Sequence, residues 1–186
     1  MKKRLPIIIL IIGLMLLILA CGGDSEIEVS SSSGNTVKEE PTQAPIGTSR
    51  DNPAPRGSEV TSDDMKFVIS DSTRPADHIV SAANMFNTEP EAGQEYLFIN
   101  LQITCMKSSN EECSVDFFNI EAVGTEGVVY NPEWFISGVD GLLESTEFYG
   151  GTTISGNIPF IVSINDTGIL LKYEPFWGDT FYMSIQ

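Results

Sequence analysis

Residues 95–104 read EYLFINLQIT, with the apolar side chains Leu97, Ile99, Leu101 and Ile103 on every second position. In an extended chain successive side chains point to opposite faces, so these four share one face while Tyr96, Phe98 and Asn100 share the other. A helix, with 3.6 residues per turn, would scatter them around its circumference. The segment is therefore expected to be a long strand whose Leu97 face lies in a core. The alternation returns at 158–164, where Ile158, Phe160, Val162 and Ile164 interleave with Pro159, Ile161 and Ser163. Pro159 has no N–H for a ladder, which assigns this segment to a sheet edge or to the beginning of a strand.

Other short apolar runs, separated by turn residues, fall at 65–70, 115–123, 128–131, 168–173 and 180–185, and the two alternating segments extend to 95–105 and 151–164. Short strands at this spacing, with no long stretch of helical period among them, are the pattern of an all-β sandwich or barrel. Asn165, Asp166, Thr167 and Gly168 resemble a hairpin turn, which would pair the strands on either side antiparallel. Residues 77–86 (DHIVSAANMF) fit one short helical turn or another strand.

The N-terminus has a different logic. Lys2, Lys3 and Arg4 precede an uncharged apolar run at 5–20, which ends in Ile18, Leu19, Ala20 and Cys21. The run is interrupted by Pro6 and is shorter than the roughly 20 residues of a membrane-spanning helix, so it reads as a signal peptide. The four residues resemble the lipobox of bacterial lipoproteins, with Ala20 before the cut. The resemblance implies that Cys21 receives diacylglycerol and anchors an exported chain to the bacterial cell membrane. After Cys21, Ser, Gly, Thr, Pro and Glu predominate to about residue 56, a composition too poor in apolar surface to offset its ordering entropy. The expected organisation is a signal peptide at 1–20, a lipid-anchored flexible tether at 21–56, and one domain at 57–186.

Within that domain, 95–104, 118–123, GVVY at 127–130 and YGGTTISGNIPF at 149–160 follow one another in an order that carries a resemblance. It is to the immunoglobulin-like domain of unknown function found in exported and lipid-anchored bacterial proteins, similar to a mycobacterial secreted immunoprotective antigen. The resemblance implies a two-sheet antiparallel immunoglobulin-like β-sandwich and brings no catalytic residues or cofactor with it.

Cysteine usage agrees with export. With Cys21 taken by lipid, Cys105 and Cys113 remain as an even pair, expected to form a disulfide closing the loop at 106–112. The chain-entropy model gives such a short loop about 2 to 3 kcal/mol. A redox or zinc role is disfavoured because the spacing is not C-x-x-C and no histidine lies nearby.

Removing Lys2, Lys3 and Arg4 from the 10 basic residues leaves 7 against 26 acidic, a net charge of about −19. Such a polyanion is repelled by phosphate backbones, so nucleic acid is not an expected partner. Asp63 and Asp64, Glu111 and Glu112, and the loop at 140–147 offer oxygens to calcium, but no EF-hand loop or nonapeptide repeat is present and solvated acids are the simpler reading. His78 is the sole histidine, and no GxSxG, HExxH, P-loop or GxGxxG occurs. His78 therefore reads as a surface residue, and no metal site is expected.

The remaining hint of binding is aromatic. Tyr130, Trp134, Phe135, Phe148 and Tyr149 bracket the segment at 137–141 and form a candidate binding patch, with Phe176 and Trp177, or Phe181 and Tyr182, as possible additions. Rings beside acids can stack on sugars or meet a protein, but rings of this kind more often fill a core. The expected function is a non-enzymatic binding module of the cell envelope, with a protein or polysaccharide partner. The alternative is a hydrolase such as a glycosidase, whose sign would be two carboxyl groups about 5 to 9 Å apart in a cleft.

Overall fold

The computed structural model describes residues 28–30 and 44–186. The expected signal peptide, Cys21 and most of the tether lie outside those residues. In chain order the elements are β1 (Glu28–Ser30), β2 (Glu59–Ser62), β3 (Met65–Thr73), helix α1 (Asp77–Ala83), β4 (Gln94–Cys105) and β5 (Glu112–Val115). A 3-10 turn (Phe117–Asn119), β6 (Ile120–Val123), β7 (Val129–Tyr130), β8 (Thr146–Tyr149), β9 (Thr153–Ser163), β10 (Leu170–Tyr173) and β11 (Phe181–Ser184) complete the order. The two alternating segments became the longest strands, β4 and β9, paired from Gln94 opposite Ser163 to Thr104 opposite Thr153.

Strands β1-β2-β3-β4-β9 form one sheet, β11-β10-β6-β7 a second, and β5 with β8 a separate ribbon. All ladders between these strands are antiparallel. Val60, Phe67, Leu97, Ile99, Leu101, Ile103, Ile158 and Phe160 from the first sheet meet Ile120, Ala122, Leu171, Tyr173, Phe181 and Met183 from the second in one buried cluster. This is the expected β-sandwich. Each fully buried aliphatic or Phe side chain contributes about 1.5–3 kcal/mol, so this interface dominates stability.

The opposite face of β4 is buried too. Tyr96 and Phe98 pack under Ala76 and Val80, with Ile79, Ile136, Val139 and Ile161 around them. Within 77–86, Asp77–Ala83 thus resolves as a helix whose apolar side covers the sheet. Pro159 lies within an edge strand, the first of the two placements its missing N–H allows, and its carbonyl accepts from Glu133 N at 2.8 Å.

Three expectations are corrected. The strands flanking residues 165–168 do not pair with each other: β10 lies between β6 and β11, so the chain crosses from one sheet to the other. The physical reason is that none of residues 165–168 takes the positive φ a two-residue hairpin needs. Instead the Asp166 carboxylate accepts from Thr125 N (2.8 Å) and Thr125 Oγ1 (2.9 Å) in the β6–β7 turn, fastening the crossover to the second sheet. Residues 115–123 are not one strand either, because Asp116 Oδ1 accepts from Phe118 N and starts a 3-10 turn between β5 and β6. The packed domain reaches back before residue 57. Ala54 is fully buried and bridges Met183, and Tyr182 N donates to Gly47 O at 2.7 Å. A small residue such as Ala54 fits against a strand without altering a composition that otherwise reads as linker.

Cys105 and Cys113 form the expected disulfide, with Cα atoms 5.8 Å apart. It ties the end of β4 to the β5–β8 ribbon.

Candidate functional site

At one end of the sandwich three connections converge: the β2–β3 turn, the 3-10 turn before β6, and the β10–β11 connection. Asp63 and Asp64 close the first with φ of 51° and 58°, a mirror-image two-residue turn that short polar side chains tolerate. Gly178, at φ 119°, passes against that turn; a Cβ there would stand 2.5 Å from Asp63 Oδ1. Glu174 N donates to Asn119 O at 2.8 Å, which sets the 3-10 turn beside the start of the β10–β11 connection.

Two of these connections, and the β7–β8 connection that carries Trp134, bear rings that the fold leaves in solvent. Phe118, Phe176 and Trp177 are 81%, 84% and 81% exposed, and Trp134 is 42% exposed. Trp134 has its ring centroid 5.3 Å from Phe118 and 5.5 Å from the buried Phe117. Phe176 and Trp177 meet edge-on at 4.9 Å. All four sit in turns or loops, where no sheet face can cover them.

Carboxylates lie among the rings. Burial pushes the Asp63 carboxyl above its ordinary value; a hydrogen bond from Ser62 opposes this, and the charges of Asp179 and Asp64 add to the rise. Glu133 Oε1 accepts from Phe135 N at 3.2 Å, and Asp116 caps the turn bearing Phe118. Beneath this end the Tyr173 phenol is pushed up to about 12, by burial first and then by the charges of Asp63 and Asp116.

The five rings singled out from sequence do not share one surface. Trp134 belongs to this end, and Phe135 next to it is exposed. Phe148 points into the core from β8, opposite Cys113, because strand alternation carries it inward. Tyr149, one residue on, faces out, and its phenol is raised by a hydrogen bond to Glu112. Tyr130 sits at the other end of the sandwich, its hydroxyl donating to Asp166 Oδ2 at 3.1 Å. Of the two C-terminal pairs, Phe176 and Trp177 are exposed whereas Phe181 is buried. Phe118 was hidden within an expected strand; the signal for it is the pair Phe117 and Phe118, which breaks the alternation.

The opposite end holds two grooves. One, of ≈ 480 Å³, is lined by Thr125, Glu126, Tyr130, Asn165, Asp166 and neighbours. Burial pushes the Asp166 carboxyl up, but hydrogen bonds from Thr125 and Tyr130 and the charge of Arg74 outweigh it, and the carboxyl is held below its ordinary value. Arg74 is fully engaged: Nε donates to Glu95 Oε1 and Nη2 to Ser163 O, each at 2.6 Å, and Nη1 to Asp166 O. This is a structural corner. The other groove, of ≈ 310 Å³, is lined by Asp77, His78, Ser81, Glu89, Tyr96 and neighbours. Ser81 Oγ donates to the His78 carbonyl and not to its ring, and His78 is exposed at the helix surface. Asp63, the carboxyl raised by burial, lines neither groove. Among the described residues no group of three or more His, Cys, Asp or Glu could hold a metal ion, and no helix is long and apolar enough to cross a membrane.

No family model matches the sequence, and no curated protein matches it. Solved structures do. The yjhA protein of Bacillus subtilis is 12% identical with a TM-score of 0.53, over 72% of this chain and 99% of that one. The ycdA protein of Bacillus subtilis is 16% identical with a TM-score of 0.48, over 68% of this chain and 38% of that one. A secreted protein of Mycobacterium tuberculosis is 10% identical with a TM-score of 0.47, over 68% of this chain and 83% of that one. At these identities the likeness to yjhA is one of fold, and it extends to nearly the whole of that protein.

Proposed function

We propose that the chain is a lipid-anchored, extracytoplasmic, non-enzymatic binding module, and that its working surface is the ring-bearing end of the sandwich. The observation that carries this reading is the gathering of Phe118, Trp134, Phe176 and Trp177 in solvent at one end. A soluble domain gains nothing in folding from exposing large rings, and exposed rings gathered at one end are the kind of surface that meets a partner. The N-terminal sequence supports the address: a basic start, an apolar run and Cys21 in lipobox position.

The test is a pull-down from detergent-solubilised envelope with the tagged full-length chain and with a triple variant, Phe118→Ala, Phe176→Ala and Trp177→Ala. An envelope component retained by the parent and lost by the variant is the expected result. Equal retention by both would remove this end as the working surface.

A further inference from the structure

We infer that the partner docking on this end is a cationic, arginine-bearing segment of another envelope protein. This rests on the reading of the ring-bearing end as the working surface. The four exposed rings do not stand on neutral ground. Asp63 lies against Gly178, the residue after Trp177, and Asp116 caps the turn that carries Phe118. Both charges are felt at the same buried phenol, Tyr173, which puts them at the same end.

A neutral or anionic partner covering these rings would have to strip water from carboxylates without compensating them, and unpaired buried charge is strongly unfavourable. A partner that brings positive charge removes that cost and is steered in by the chain's net charge of −16. The rings then add a second preference. A guanidinium stacks on Trp and Phe faces while its N–H groups reach carboxylates, which an ammonium does less well. The rings are spread over separate chain connections. A surface spread over separate connections fits an extended segment. Its acidity also opposes docking on an anionic bilayer.

The chain's two tryptophans, Trp134 and Trp177, both stand on this surface and report its occupancy directly. Acetylated peptide amides (Gly-Arg)4, (Gly-Lys)4 and (Gly-Ser)4 would be titrated into the full-length chain in non-ionic detergent at 150 mM salt, following tryptophan emission. We expect saturable binding of the arginine peptide, several-fold weaker binding of the lysine peptide, and none of the serine peptide. The variant Phe118→Ala with Phe176→Ala keeps both reporters and every carboxylate, and should bind the arginine peptide at least tenfold more weakly. Asp63→Asn with Asp116→Asn should weaken it similarly. Unchanged affinity in the ring variant would overturn the inference, because attraction to a general polyanion would then suffice. So would binding of the serine peptide. The protein reconstituted in phosphatidylcholine–phosphatidylglycerol vesicles should show no quenching of its tryptophans by brominated lipid; strong quenching would assign the surface to the membrane instead. Ring-dependent retention of an envelope component without any response to the arginine peptide would overturn the cationic partner and leave the binding-module reading standing.

Discussion

Two sets of rings, one of them flanking the other along the β10–β11 connection, have opposite fates. Phe67, Tyr173 and Phe181 pack at centroid distances of 4.7 to 5.1 Å in the middle of the sandwich, each 2% exposed or less. Phe176 and Trp177, on the connection between Tyr173 and Phe181, stand more than four-fifths in solvent. Residue type does not separate the sets. Position does: the first occupy inward sites of β3, β10 and β11, and the second occupy a turn that no sheet face covers. The inner set is explained by folding. The outer set is not, and that is the ground for assigning it a partner.

The largest expected effect is on the inner set. Phe67→Ala removes a ring that touches both Tyr173 and Phe181, and should destabilise by about 3–5 kcal/mol in denaturant unfolding. A loss below 1 kcal/mol would break the comparison from the core side. Next is the disulfide at the ring-bearing end. Cys105→Ser with Cys113→Ser should cost about 2 to 3 kcal/mol, read as a lower unfolding midpoint with an unchanged far-ultraviolet spectrum.

Tyr173 is where the two sets meet. Its phenol, near 10 when unfolded, is raised to about 12 in the fold, so the native state holds a proton the unfolded chain has released. The stability this supplies is complete below pH 10 and falls by about 1.4 kcal/mol per pH unit from 10 towards 12. Tyr173→Phe should flatten that alkaline slope. The Asp166 carboxyl, held low, works in the other direction: its contribution is present above about pH 4 and is lost as the pH falls through its folded value. Asp166→Asn should reduce the acid sensitivity. The smallest effect belongs to the outer set, where Phe176→Ala and Trp177→Ala should each move stability by no more than about 0.5 kcal/mol.

The long central strand and its buried face were legible from the chain, whereas Phe181 of the inner set was offered as a possible addition to the binding patch and is buried. Period-two spacing at Leu97, Ile99, Leu101 and Ile103 pointed to β4 and its buried face, and Pro159 limited β9 to an edge or a strand's beginning, of which the edge is the outcome. The paired cysteines were legible from counting. What escaped was whatever depends on long-range partners. Asn165 to Gly168 carries good hairpin residues, yet Asp166 bonds across to Thr125 and the chain changes sheets. The mirror-image turn is made by Asp63 and Asp64, a less conspicuous pair. For the candidate site, Trp134, Phe135, Phe176 and Trp177 were visible as rings but not as exposed ones. Phe148 and Tyr149 are neighbours with opposite orientation, and only the register opposite Cys113 decides which faces in.

The central claim is that the outer rings serve a partner and not the fold. The most direct test is the retention of envelope protein by the full-length Phe118→Ala, Phe176→Ala, Trp177→Ala variant at an unfolding midpoint equal to the parent's. The account expects the midpoint to stay within about 0.5 kcal/mol of the parent while the retained component disappears. Undiminished retention would contradict it, as would a collapse in stability that showed these rings to be part of the core.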